Sequence, residues 1–552
     1  MENELSIYQP EKIVTPETGL RGKENVVLAV DQVTGEIVFR GTDEEAKQWW
    51  ANEDTQQKYS AHRRVDHKGN VVLPGAVDTH NHPVLFTVFD ETVDLSGAET
   101  PDQFRDDIRE KAKGGAEKIM AINWRTEKIQ GVDKKELDAI CPDKSLVVID
   151  PSFHGGVLNS RAIKELGRII KPEEMKLLAG TFDKKTGRVT EEFMIRAWET
   201  AAPSVEMMEK GTEKNLETWL SQGITGVHDM EMTSWDQFQA FLQMQKDWQE
   251  KKGLTFPVDR FYIAPHIMER LFGEIKNLEQ QGLWQGDLFK KMGMKLIADG
   301  AFGTHSAKVF SRYDDQDTRG EWASKIERMN KAIQMALERG VENIAIHAIG
   351  DEAVARVIKL AQKWEKDAQA IQGKPLDTSK WRIEHFELAN QQQMKDAAGM
   401  GMWVSMQPNF LSDGVDYMKR LGNRTKLLCP HRQVLDSKVA MMFGSDNMPT
   451  SALYGIWAAT HAPNPEQRVT FPEALAAYTI MGQRHSGREQ GDLKVGERAD
   501  IAVLPPDTLA GLEGPAARDW KEFKNMMAEA KKQYKDLKTI KTIMAGKEVP
   551  RN

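Results

Sequence analysis

The chain has 552 residues, of which 40% are hydrophobic and 29% charged, with a formal net charge of -8 and a sequence pI of about 6.0. That length holds several domains or one large barrel with additions, and an acidic balance with scattered Lys and Arg excludes the basic stripe that nucleic acid requires. Cys141 and Cys429 are too few for a disulfide framework or a cysteine-based zinc site, no apolar run reaches membrane-spanning length, and Met1-Glu-Asn-Glu-Leu lacks the features of a signal peptide, so the expected location is the cytoplasm.

Residues 1–73 read as short strands and turns. Asn25 to Asp31 is an apolar run, Thr34-Gly35 a turn, and Glu36 to Phe39 a second strand. From Gly75 onward strands alternate with helices. Eight strands are expected near Gly75–His80, Gly223–Asp229, Asp259–His266, Met294–Asp299, Asn343–His347, Trp381–His385, Trp403–Met406 and Val439–Gly444. Between the fourth and fifth, Ile326, Met329, Ile333 and Leu337 repeat at helical spacing. Asp351 is expected to cap the helix that follows the fifth. Eight such units predict an α/β chain with a (β/α)₈ TIM-type barrel over 74–487.

The interval between the first two strands is too long for one helix. It predicts an inserted subdomain at about 118–195 over the barrel mouth. After His485 the chain returns to short strands, and a helix from about Asp519 to Leu537 carries an apolar stripe. Segments 1–73 and 488–552 are expected to meet in one composite, β-sandwich-like domain.

The chemistry-bearing residues sit at predicted strand ends. His80 and His82, in Val-Val-Leu-Pro-Gly-Ala-Val-Asp-Thr-His-Asn-His-Pro ending at Pro83, would share one face of a strand. Two neutral imidazoles there suit a divalent transition metal, although a bare His-x-His also fits hydrogen-bonded histidines with no metal. His347, His385 and Asp446 close three later strands, and Lys295 lies within a fourth. In a barrel these C-terminal ends face one mouth, which points to a metal site.

These motifs resemble the amidohydrolase superfamily of metal-dependent hydrolases. Within it the chain is similar to the YtcJ-like branch, which includes N-substituted formamide deformylases. The resemblance rests on the His80 segment, Lys-Leu-Ile-Ala-Asp-Gly from Lys295, Ile-His-Ala-Ile-Gly-Asp around His347 and Arg-Ile-Glu-His ending at His385. Met-Gln-Pro from Met406, Gly-Ser-Asp ending at Asp446, Phe-His-Gly-Gly from Phe153 and the tail Gly491 to Leu504 extend it over nearly the whole chain. It implies that His80 and His82 bind one metal, that Lys295 carbamylated by CO₂ bridges two, that His347 and His385 bind the second, and that Asp446 ligates and shuttles a proton. If Lys295 is instead an ordinary salt-bridged lysine, a single ion is held by the histidines and Asp446. The expected cofactor is one or two divalent ions, zinc foremost.

Weaker candidates for substrate binding are His154, Glu191, His305, Arg382 and Gln407. His228 and His266 are further histidines expected at strand ends, and Asp299 and Asp351 are candidates to orient ligands. The branch pattern after the bridging lysine departs here, with Ala301 and His305 where a hydroxyl and an arginine are usual. The expected activity is hydrolysis of a C–N bond, in an amide, formamide or related small molecule, by metal-bound hydroxide. Esterase, lactonase or deaminase chemistry and a non-catalytic ligand-binding regulator are the alternatives. The expected partner is a small-molecule substrate, with a homodimer as the assembly considered and neither nucleic acid nor membrane.

Overall fold

The computed structural model describes residues 4–550 except 90, 91, 115, 116, 127, 152, 154 and 177. Eight parallel strands run in chain order around a barrel: β1 (Ala76–Asn81), β2 (Ile224–Met232), β3 (Val258–Ile263), β4 (Met292–Ile297), β5 (Ile344–Ala348), β6 (Trp381–His385), β7 (Trp403–Met406) and β8 (Ala440–Phe443). Every residue of β1 and β2 is buried, as expected of strands covered by packing on both sides. The fold is a (β/α)₈ barrel with additional sheets.

The barrel closes between β8 and β1 through loop and side-chain bonds. Thr79 Oγ1 donates to the Phe443 carbonyl at 2.8 Å, and the Asp446 amide donates to the His80 carbonyl at 2.7 Å. Gly444 permits this approach, because a Cβ there would lie 2.3 Å from the His80 amide nitrogen.

Both ends of the chain feed one eight-stranded sheet, in which Ile501–Leu504 pairs antiparallel with Ala61–Pro74. Two of its strands, Glu4–Ile13 and the 14-residue Ala61–Pro74, are longer than the short strands expected over 1–73. Charged residues break their apolar alternation, and pairing along their length supplies the order instead. A second sheet of five strands lies between β1 and β2, from Val93–Asp94 to Arg188–Thr190. It therefore begins ahead of residue 118.

Two local expectations change. The third strand stops at Ile263, and His266 belongs to the helix Pro265–Gln280, because Pro265 lacks an N–H to extend the ladder and suits a helix start. Gly350, not Asp351, occupies the cap position of the helix Asp351–Gln372. The Asp351 carboxylate instead accepts the Phe310 amide at 2.9 Å.

Candidate metal centre

His80, His385 and Asp446 converge where β1, β6 and β8 end. They offer ligand atoms all within 4.8 Å of one another. His82 Nε2 lies 3.1 Å from Asp446 Oδ1. The His385 ring centroid is 4.7 Å from that of His80 and 4.4 Å from that of His347. His385 and Phe386 have φ of 71° and 53°, and Asp446 and Asn447 have 51° and 59°. Non-glycine residues adopt this region at some cost, and such strain gathers at functional sites.

Each of two imidazoles is held from behind. His80 Nδ1 lies 2.6 Å from Glu384 Oε2, and His385 Nδ1 lies 2.7 Å from Gln407 Oε1. With these nitrogens donating, Nε2 of each ring keeps its lone pair for the site. Burial drives both histidines well below the ordinary imidazole range, and neighbouring positive charge at Lys295 adds to it. They are therefore neutral and able to ligate. Burial alone would raise Asp446, but His80, His82 and Lys295 outweigh it and hold the carboxyl below its ordinary value.

The remaining candidates separate clearly. Lys295 is buried on β4 and makes no hydrogen bond or salt bridge among the described residues. His347 Nε2 lies 3.1 Å from the Gly300 carbonyl. Arg382, expected to bind substrate, is instead fully buried, with its guanidinium on Glu384, the Thr79 carbonyl and His228 Nδ1. Gln407 is likewise occupied by His385. His305 is held by Asp315 at 3.0 Å and stacks edge-on against Tyr313. Glu191 lines a cleft with Lys295. The expectation for His154 lies outside the described residues.

Asp299 is one of the acids expected to orient ligands, and two buried acids not named from the sequence, Asp78 and Asp229, join it. Asp78 accepts the Ser445 amide at 2.9 Å and the Asn81 side-chain amide at 2.9 Å, tying β1 to the Asp446 turn. Asp299 accepts the Ile349 and Gly350 amides at 3.0 and 2.9 Å, joining the β4 and β5 ends. Asp229, on β2, is fully buried, and among the described residues neither carboxyl oxygen has a partner of hydrogen-bond geometry. Burial pushes it up to about 7, against the opposing pull of His82 and of the Glu231 and Val84 amides. His82 Nδ1 is also buried without a hydrogen-bond partner among the described residues. The available signal was acids at every second position in an otherwise apolar strand, as in Asp229 and Glu231.

A (β/α)₈ barrel with neutral imidazoles and an ionised carboxylate at its C-terminal mouth has the architecture of a hydrolase. The sequence profile of the Amidohydrolase family matches residues 63–550, and the chain belongs to this family. It is 22% identical over 502 residues to the putative amidohydrolase YtcJ of Bacillus subtilis (strain 168), covering 86% of this chain and 90% of that protein. It is 26% identical over 492 residues to the N-substituted formamide deformylase of Arthrobacter pascens, covering 81% and 85%. The crystal structure of an uncharacterised metal-dependent hydrolase from Pyrococcus furiosus superposes with a TM-score of 0.66 at 23% identity, covering 91% of this chain and 99% of that one. No helix among the described residues is long and apolar enough to cross a membrane.

Proposed function

We propose that the protein is a metal-dependent amidohydrolase that cleaves the C–N bond of a small amide, formamide or related molecule. The observation that carries this reading is the mutual approach of His80, His385 and Asp446 within 4.8 Å. Two neutral imidazoles and a carboxylate form a donor set suited to zinc or a similar ion. His80, His82, His385 and Asp446 would hold it, with His347 beside them. Lys295, buried on β4 beside His80 and His385, supports a second ion. Carbamylated, it would present two oxygens to the same space.

A bound divalent ion would supply Lewis-acid polarisation of the scissile carbonyl and a lowered pKa for water. The chain's own residues do the rest. Asp446 accepts a proton from the attacking water and returns it to the leaving nitrogen, as a carboxylate within hydrogen-bond reach can do. A C–O bond forms, the C–N bond breaks, and a free acid and an amine leave. Glu384 and Gln407 keep the imidazoles from rotating during this cycle.

The composite domain from both chain ends and the barrel over 74–487 are proposed as separate units. A reducing compartment is proposed from the buried free thiols Cys141 and Cys429. The activity is tested with a panel of amides, formamides, esters and lactones on metal-loaded protein. Release of an acid and an amine supports the reading. Release of ammonia alone, or turnover of esters alone, replaces it.

A further inference from the structure

We propose that the cleft beside Lys295 binds a positively charged group of the substrate, an alkylammonium or a guanidinium, through Glu231. This inference rests on the hydrolase reading above. The cleft lies at the C-terminal ends of β2, β3 and β4, with residues of the helix Glu192–Trp198 along one side. Its empty volume, open solvent at the mouth included, is about 650 Å³. It adjoins the imidazole cluster through Lys295, so a substrate whose reacting bond lies among the imidazoles could extend a substituent into it.

The arginines lining this cleft already face acids, although Arg328 Nη1, buried against Glu192, lacks hydrogen-bond geometry among the described residues. Arg328 Nη1 lies 3.0 Å from Glu192, and Arg196 bonds Glu174 at 2.6 Å and Glu199 at 2.7 Å. His266 is also engaged, with Nε2 2.9 Å from the Thr233 carbonyl. Glu231 differs. It is only 9% exposed, lines the cleft, and makes no hydrogen bond or salt bridge among the described residues. A buried carboxylate in that condition is costly unless a cation reaches it.

Burial pushes the Glu231 carboxyl up, and Lys295 followed by His82 are the positive groups that oppose it. Carbamylation would turn Lys295 into an anion and leave Glu231 facing like charge. Glu191 adds a second buried carboxylate to the same wall. A substrate ammonium would restore the balance, while Ile195, Ala264, Ile297 and Met329 provide an apolar path for the alkyl chain that carries it.

The test uses N-formyl and N-acetyl derivatives of 1,4-diaminobutane, pentylamine and 4-aminobutanoate, which share a scissile bond and differ in distal charge. Wild-type holoenzyme should show a kcat/KM on the diaminobutane derivatives at least about tenfold above the pentylamine ones. Glu231→Gln should lower that ratio by about tenfold or more, Glu231→Asp should retain part of it, and both should keep the wild-type metal content. Equal or reversed preference, an unchanged ratio in Glu231→Gln, or loss of metal from that variant would overturn the assignment. If none of these compounds is cleaved, the hydrolase reading fails for them and binding decides the cleft. Calorimetric titration of the holoenzyme with butylammonium should then show saturable binding that Glu231→Gln weakens. No binding, or equal binding of butanoate, would contradict it.

Discussion

His80 Nδ1 sits 2.6 Å from Glu384 Oε2, and the same carboxylate is paired with the buried Arg382. One acid thus serves two buried partners, an imidazole of the metal centre on β1 and a guanidinium inside the barrel. The orientation of His80 is thereby coupled to the integrity of the barrel interior.

Glu384→Gln should lower metal affinity by about 10–100-fold, as loss of a carboxylate behind a ligating histidine typically does. Competition of the apoprotein against a chromogenic chelator measures it. Glu384→Ala should also destabilise the fold by about 3–5 kcal/mol, because Arg382 loses its buried counter-ion. Urea denaturation of the apoprotein reads this second effect apart from metal binding.

Gly444→Ala should destabilise by about 1–3 kcal/mol, the usual range for overpacking. Its Cβ meets the His80 backbone, not a movable side-chain end. Because Asp446 follows two residues later and bonds the His80 carbonyl, the variant should lose metal affinity as well as melting temperature.

Asp446→Asn should lower turnover by about 10²–10⁴-fold, the contribution typical of a positioned proton carrier. The thermal midpoint of the apoprotein should stay near wild type. Activity unchanged in this variant would remove Asp446 from proton transfer.

The Asp413 carboxyl, pushed up to about 8 by burial and next by Asp416, faces the buried Glu387. A group raised on folding stabilises the folded state fully at pH values below its unfolded value near 4, and that stabilisation is lost as pH rises toward 8. Wild-type protein should therefore lose stability over this window. Asp413→Asn should flatten the loss and melt about 1 °C higher than wild type at pH 8 for each kcal/mol recovered. Thermal melts at pH 5 and pH 8 check the sign.

The eight barrel strands were legible because each is a short apolar run ending in polar residues, and burial on both faces enforces that pattern. Trp381–His385 and Trp403–Met406 coincide with their predicted spans. The placement of His80, His385 and Asp446 at one mouth followed from strand order. The roles of Arg382 and Gln407 did not, since strand position gives a residue's depth but not its partner. Glu384, Asp229 and Glu231 were hidden for the same reason. An acid in a buried strand carries no mark of what it faces until the neighbouring strands are in register.

The most direct test of the account is the metal content of protein purified without added metal, taken together with chelation. The protein should carry a divalent ion at about one or two per chain. Chelation should remove it together with activity, zinc should restore both, and His80→Ala with His385→Ala should abolish binding. Metal-free protein whose hydrolytic activity and stability are unchanged by chelation would contradict it.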